Sequence, residues 1–110
     1  MIQRRDILTA SLGTALLSAM GLAQAQSTKT VRIVVPFAAG GVQDTLARAL
    51  SQEMAAALGQ TVIVENRAGA GGTVGTGYVA RAEADGTVMV AAAASHNIAG
   101  SLYTKLAYDP

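Results

Sequence analysis

Three β-branched runs, set apart by glycine-rich loops and helix-forming stretches, constrain this chain more than anything else in its sequence. Val31-Arg32-Ile33-Val34-Val35 is stopped by Pro36, which has no N–H to give a sheet ladder, so the run predicts a buried strand ending at residue 36. Beyond the Gly40-Gly41 loop, Leu46, Leu50, Met54 and Leu58 recur with helical spacing, while Arg48, Gln52 and Glu53 lie off that stripe. This is the pattern of an amphipathic helix, with Gly59 placed to end it in a left-handed conformation. Thr61 to Glu65 predicts a second strand, and Asn66 to Gly72 a glycine-rich loop. Thr73 is placed to cap a second helix running to about Ala84, which Gly75 and Gly77 weaken by roughly 1 kcal/mol each. Asp85-Gly86 signals a turn, Thr87 to Ala93 a third strand, Ala94 to Asn97 a loop, and Ile98 to Tyr103 a short segment of unclear pattern.

The order strand, helix, strand, helix, strand requires parallel pairing through right-handed crossovers, which gives an α/β fold with a parallel sheet and flanking helices. After Ile98 to Tyr103 no further helix-forming stretch precedes Tyr108-Asp109-Pro110, so residues 26–110 are expected to form an incomplete lobe.

In an open parallel sheet the ligand crevice lies outside the carboxyl ends of the strands, where strand order reverses. If the second and third strands flank the first, the loops Phe37 to Asp44 and Ala94 to Asn97 feed that crevice, and the loop Asn66 to Thr73 lies at the same edge. Two of these loops lead into helix starts, whose unpaired N–H groups favour an anion by about 0.3 to 1 kcal/mol. The glycines are equally consistent with simple chain reversal. Asp44 is placed either to stabilise the first helical turn or to orient ligand and water, and His96, the single histidine, reads most simply as a loop residue bonded to backbone.

Other chemistries fail on particular residues. Gly72 and Gly77 have P-loop spacing, but Tyr78 stands where the phosphate-reaching lysine belongs. Gly75-x-Gly77-x-x-Ala80 fits the loose dinucleotide pattern but falls inside a predicted helix instead of at a strand-to-helix turn, which leaves a nucleotide-binding domain of an oxidoreductase as the weaker alternative. No Gly-x-Ser-x-Gly elbow accompanies His96 and Ser95, so no catalytic residue is assigned and the chain is not expected to be an enzyme. Without cysteine and with one histidine it offers no metal site and no cofactor attachment. Eight Lys and Arg against seven Asp and Glu leave no basic footprint for nucleic acid.

Residues 1–25 read as an address. Arg4 and Arg5 precede an apolar run from Ile7 to Leu22, and Ala23-Gln24-Ala25 supplies a small-x-small cleavage signature. The run is about 16 residues, short of the roughly 20 that a bilayer core requires. A secretory signal cleaved after Ala25 is expected, of the general or the twin-arginine type, since Arg4-Arg5-Asp6-Ile7-Leu8 has the paired-arginine order.

Val31 to Asp44, reading VRIVVPFAAGGVQD, resembles the first strand and binding loop of the Bug family, the periplasmic receptors of tripartite tricarboxylate transporters. The family loop PF-x-PGG-x-x-D is carried by Pro36, Phe37, Gly40, Gly41 and Asp44, with Ala39 in place of the usual proline. Ala57-Leu58-Gly59-Gln60 with Val62 to Gly72, then Asp85-Gly86, Ser95-His96-Asn97, Ser101-Leu102-Tyr103 and Tyr108-Asp109-Pro110, continue the resemblance in order through essentially all of the mature chain. The resemblance implies a two-lobed, type II periplasmic-binding fold of which residues 26–110 are part of the first lobe. It implies capture of a small carboxylate solute (a di- or tricarboxylate, an amino acid or an aromatic acid) through backbone amides and waters, and delivery to the permease subunits of the transporter. By the same resemblance the ligand-facing residues are Phe37, Ala38, Gly40, Gly41 and Asp44; Ala70, Gly71, Gly72 and Thr73; and Ser95 and His96. Family members are longer and add a second lobe. A receptor holding its solute at about 1 μM, if one lobe kept half of that free energy, would hold it only at around 1 mM before the penalty of an unclosed, wet site, so this stretch alone is expected to show no binding at micromolar concentrations, and a non-functional truncated fragment is a further alternative.

Overall fold

The computed structural model describes residues 29–110; the expected signal segment, residues 1–25, lies outside the described residues. Strand β1 (Val31–Val35) leads into helix α1 (Val42–Leu58), followed by β2 (Val62–Asn66), a single 3-10 turn (Ala70–Gly72), α2 (Thr73–Ala80), β3 (Val88–Val90) and α3 (Ala94–Leu102). The three strands form a parallel sheet in the order β2-β1-β3. The register pairs Val31 with Val62 and Val35 with Asn66 on one side of β1, and Arg32 with Val88 and Val34 with Val90 on the other. β1, the most apolar run, therefore takes the central position, with Val34 and Val35 fully buried.

Alternate residues of β1 face opposite layers. Ile33 and Val35 pack with Ala47 of α1 into a core that also takes Phe37, Met54, Val62, Val64, Met89 and Ala91. On the other face Arg32 donates from Nη1 to the Tyr78 hydroxyl of α2 at 2.9 Å and pairs with Glu65 at 3.3 Å. Glu65 also pairs with Arg67 at 2.6 Å, and the Arg67 guanidinium lies 3.7 Å from the centre of the Tyr78 ring.

The first helix ends as its sequence predicts, at Gly59 with φ 62°. Its apolar stripe behaves differently. Ala47 supplies the buried contact and Met54 joins the core, but Leu46 and Leu50 are each 58% exposed. They line an open apolar groove of about 310 Å³ together with Met89 and Ala91, because β3 forms the outer edge of the sheet on that side and nothing among the described residues covers it.

Three expectations need correction. α2 stops at Ala80 instead of Ala84, since its end tightens into shorter bonds from the Arg81 N–H to the Tyr78 carbonyl (3.2 Å) and from the Ala82 N–H to the Val79 carbonyl (3.0 Å). β3 is three residues long, not seven. The segment read as a loop at Ala94 to Asn97 is the first turn of α3, which continues through the poorly patterned residues to Leu102. The turn at Asp85-Gly86 is as expected: the Asp85 carboxylate accepts from the Thr87 N–H and hydroxyl, Lys29 binds it at 2.9 Å, and Gly86 has φ 79°. The Thr87 bonds first, and Lys29 second, hold the Asp85 carboxyl well below its usual range.

Candidate functional site

All three helices begin at the carboxyl edge of the sheet, each a few residues beyond the end of a strand, and none has a side-chain cap. Gly41 precedes α1 with φ −76° and ψ 174°, Gly72 precedes α2 with φ 97°, and Ala93 precedes α3 with φ −111° and ψ 176°. Thr73, expected to cap α2, is instead its first residue, and its hydroxyl donates to the Ala70 carbonyl at 2.9 Å. Helix starts ordinarily carry Ser, Thr, Asp or Asn, whose oxygens occupy the free N–H groups. Here those groups are left to other acceptors.

The first and second loops touch. The Phe37 ring lies so close to Gly72 that a Cβ there would come within 3.3 Å of it, and Gly75 is pressed against Pro36 and the Arg67 carbonyl. Ala38, Gly40, Gly41, Ala70 and Gly71 are exposed at this edge, Phe37 and Thr73 half-buried, and Gly72 buried. Ala70 has φ 44°, a left-handed conformation uncommon for a residue with a Cβ, and its carbonyl accepts from the Tyr103 hydroxyl at 3.3 Å.

The third loop region joins them through His96. Ser95 and His96 share a tight depression with Pro36, Gly71, Gly72, Thr76, Ala93 and Tyr108. The His96 ring stacks on Tyr108 with centroids 5.7 Å apart and planes 12° from parallel. Its Nδ1 is buried and has no hydrogen-bond partner among the described residues, which overturns the expectation of a histidine satisfied by backbone. Buried polar atoms are rarely left so.

Asp44 lies beneath this surface, only 4% exposed. Its Oδ2 accepts from the Gly40 N–H at 2.9 Å and from Arg48 Nε at 3.1 Å, and its Oδ1 accepts from Asn66 Nδ2 at 3.0 Å. The same Asn66 amide donates to the Phe37 carbonyl at 3.2 Å, and Arg48 Nη2 donates to Asn66 Oδ1 at 3.1 Å. Arg48 chiefly, then the Gly40 amide and Asn66, lower the Asp44 carboxyl from 3.8 to about 2. The sequence reading assigned no role to Arg48 or Asn66; the helical spacing of Asp44 and Arg48 was a visible signal for half of this network. No group of three or more His, Cys, Asp or Glu side chains able to hold a metal ion occurs among the described residues.

Three parallel strands with every described helix start gathered at their carboxyl edge define an open α/β lobe, the architecture whose crevices lie at that edge. A family model described as tripartite tricarboxylate transporter family receptor matches residues 46–110, and the chain belongs to that family. A UPF0065 protein of Agrobacterium vitis, encoded in the TAR-I ttuE-ttuC' intergenic region, is 45% identical over 92 residues, which are 81% of this chain and 27% of that protein. The structure of the periplasmic binding protein BugD aligns with 56% of this chain and 20% of its own at a TM-score of 0.54 and 56% identity. MatC of Rhodopseudomonas palustris with bound malate aligns with 74% of this chain and 28% of its own at a TM-score of 0.66 and 44% identity. The chain thus spans less than a third of the length of the relatives it matches.

Proposed function

We propose that residues 26–110 form one wall of a periplasmic solute-binding cleft that captures a small carboxylate and delivers it to the permease of a tripartite tricarboxylate transporter, with residues 1–25 serving as the export signal. The observation that carries this reading is the meeting of three uncapped helix starts at one sheet edge. Each presents N–H groups and the positive end of a helix dipole, and together they suit a carboxylate without any cationic side chain. Ala38, Gly41, Gly71, Thr73 and Ser95 supply the wall, Phe37 shapes its floor, and the His96 ring fills the tight depression beside Ser95. The resemblance to malate-bound MatC favours a dicarboxylate among the carboxylates weighed. The proposed role is binding.

A nucleotide-binding lobe finds no support in the glycines that suggested it. Gly75 is consumed by packing against Pro36 and Arg67, and Gly77 by packing against Ala107 and Tyr108.

The test is a titration of the isotopically labelled chain with malate, followed by amide resonances. Shifts concentrated in residues 37–43, 71–73 and 94–96, reaching half of their full size no lower than about 1 mM, are expected. Shifts scattered over other surfaces, or a response to NAD in place of malate, would discard the reading.

A further inference from the structure

The network of Asp44, Arg48 and Asn66 beneath the first loop does something that the loop's own sequence does not explain. Val35 is the last residue of β1 and Asn66 the last of β2, and the register places them opposite each other. From that point the chain must turn through Phe37–Gly41 to enter α1. Two tethers fix the path: Asn66 Nδ2 to the Phe37 carbonyl, and the Gly40 N–H to Asp44 Oδ2. Both run through the Asp44–Asn66 pair, and Arg48 bonds to each member of it.

Resting on the carboxylate-binding reading, we propose that Asp44 is a positioning residue and not a ligand contact. Its buried carboxylate, clasped by Asn66 and Arg48, holds the Phe37–Gly41 loop onto the end of β2 and so aims the remaining free amides of that loop into the cleft.

Gly40 has φ 87° with open space around it, so neither packing nor a side chain of its own restrains it. The Asp44 bond is what holds that peptide, and it takes the Gly40 N–H out of the set available to a ligand. A buried carboxylate below an anion site would also oppose the ligand's charge. Arg48, bonded directly to it, balances that charge, so the field of the helix start reaches the cleft uncancelled. The clasp is built to stay ionised. With its carboxyl lowered from 3.8 to about 2, Asp44 contributes fully above the ordinary carboxylate range, and the contribution is lost as pH falls through about 2.

The experiment has a ligand-free arm and a malate arm on the same labelled chain. Without ligand, Asp44→Asn is expected to speed hydrogen exchange at the Gly40 amide at least tenfold while exchange in β1 is unchanged. The Gly40 resonance of the original chain is expected to titrate together with the Asp44 side-chain carbon near pH 2. Asn66→Ala, which keeps the Gly40 tether and cuts the one to Phe37, serves if Asp44→Asn does not fold, and is expected to loosen Phe37 and Ala38 alone. The double variant Asp44→Asn with Asn66→Asp restores a side-chain pair beside Arg48 but cannot donate to the Phe37 carbonyl. It is expected to restore slow exchange at Gly40 while the Phe37 carbonyl stays untethered. In the malate arm each single variant is expected to weaken binding about tenfold well below its melting temperature, where loss of folded protein cannot account for the change. The Asp44 side-chain carbon of the original chain is expected not to respond to malate. A large malate-induced shift of that carbon, or unchanged Gly40 exchange in Asp44→Asn, overturns the positioning role. If the original chain takes up no malate, the carboxylate reading fails by itself, and the ligand-free arm still decides the clasp.

Discussion

Gly75 shows how much a single missing methyl group can decide. A Cβ at that position would sit 2.7 Å from the Arg67 carbonyl oxygen and 2.8 Å from Pro36 Cβ, and two of the three nearest atoms are backbone. Alanine would add about 1 kcal/mol of helix propensity to α2, but forcing a methyl group into a filled space costs about 1 to 3 kcal/mol. Gly75→Ala is therefore expected to destabilise the chain by about 1 kcal/mol, read as a lower urea midpoint with an unchanged slope. An increase in stability would show that α2 can move away from Pro36. From sequence alone Gly75 and Gly77 read as flaws in a helix or as a misplaced nucleotide pattern, because their use depends on how near Pro36 and Tyr108 come after folding. Asp44 was readable to the extent that it belongs to the start of a helix. Its bond to Asn66 joins residues far apart in the chain, and no local pattern carries that.

At the scale of elements, β1 and α1 were legible because each has a strong β-branched or periodic signal and a clear stop at Pro36 or Gly59, while β2, without such a stop, lies one residue beyond the expected Thr61 to Glu65. α3 was not. A side-chain cap is the usual mark of a helix start, and Ala93 provides none. The absence that hid the helix is the same one that frees its N–H groups. This leads to a prediction for α1. Gly41 has an extended backbone that any residue can adopt, and a Cβ there would meet only the Ala38 carbonyl, at 3.6 Å. Gly41→Asp is expected to cap α1 with its own carboxylate, leaving stability equal or slightly higher by a few tenths of a kcal/mol, while malate response in residues 37–43 disappears. A variant that is more stable and still binds malate would mean that the α1 start takes no part in the site.

For the molecule as a whole, the groove along Leu46, Leu50, Met54 and Met89 is the largest departure from what the amphipathic stripe implies. A contiguous apolar surface of this kind is costly to leave in water and marks a place where other apolar surface packs. Leu46→Glu with Leu50→Glu is expected to abolish binding of an apolar fluorophore to the chain with a change in stability under about 0.5 kcal/mol, since both side chains are already largely in solvent. A large loss of stability would mean that the groove closes in solution. The sheet order has a consequence of another kind. The middle strand is also the first in the chain, so Val31 must wait for Val62, and Arg32 for Val88, before either ladder can form. Closing contacts so distant in sequence is slow. The first strand to be made therefore has no ladder partner until Val62 follows it and only one until Val88 does, so it is the segment that stays longest without its neighbours as the chain is made.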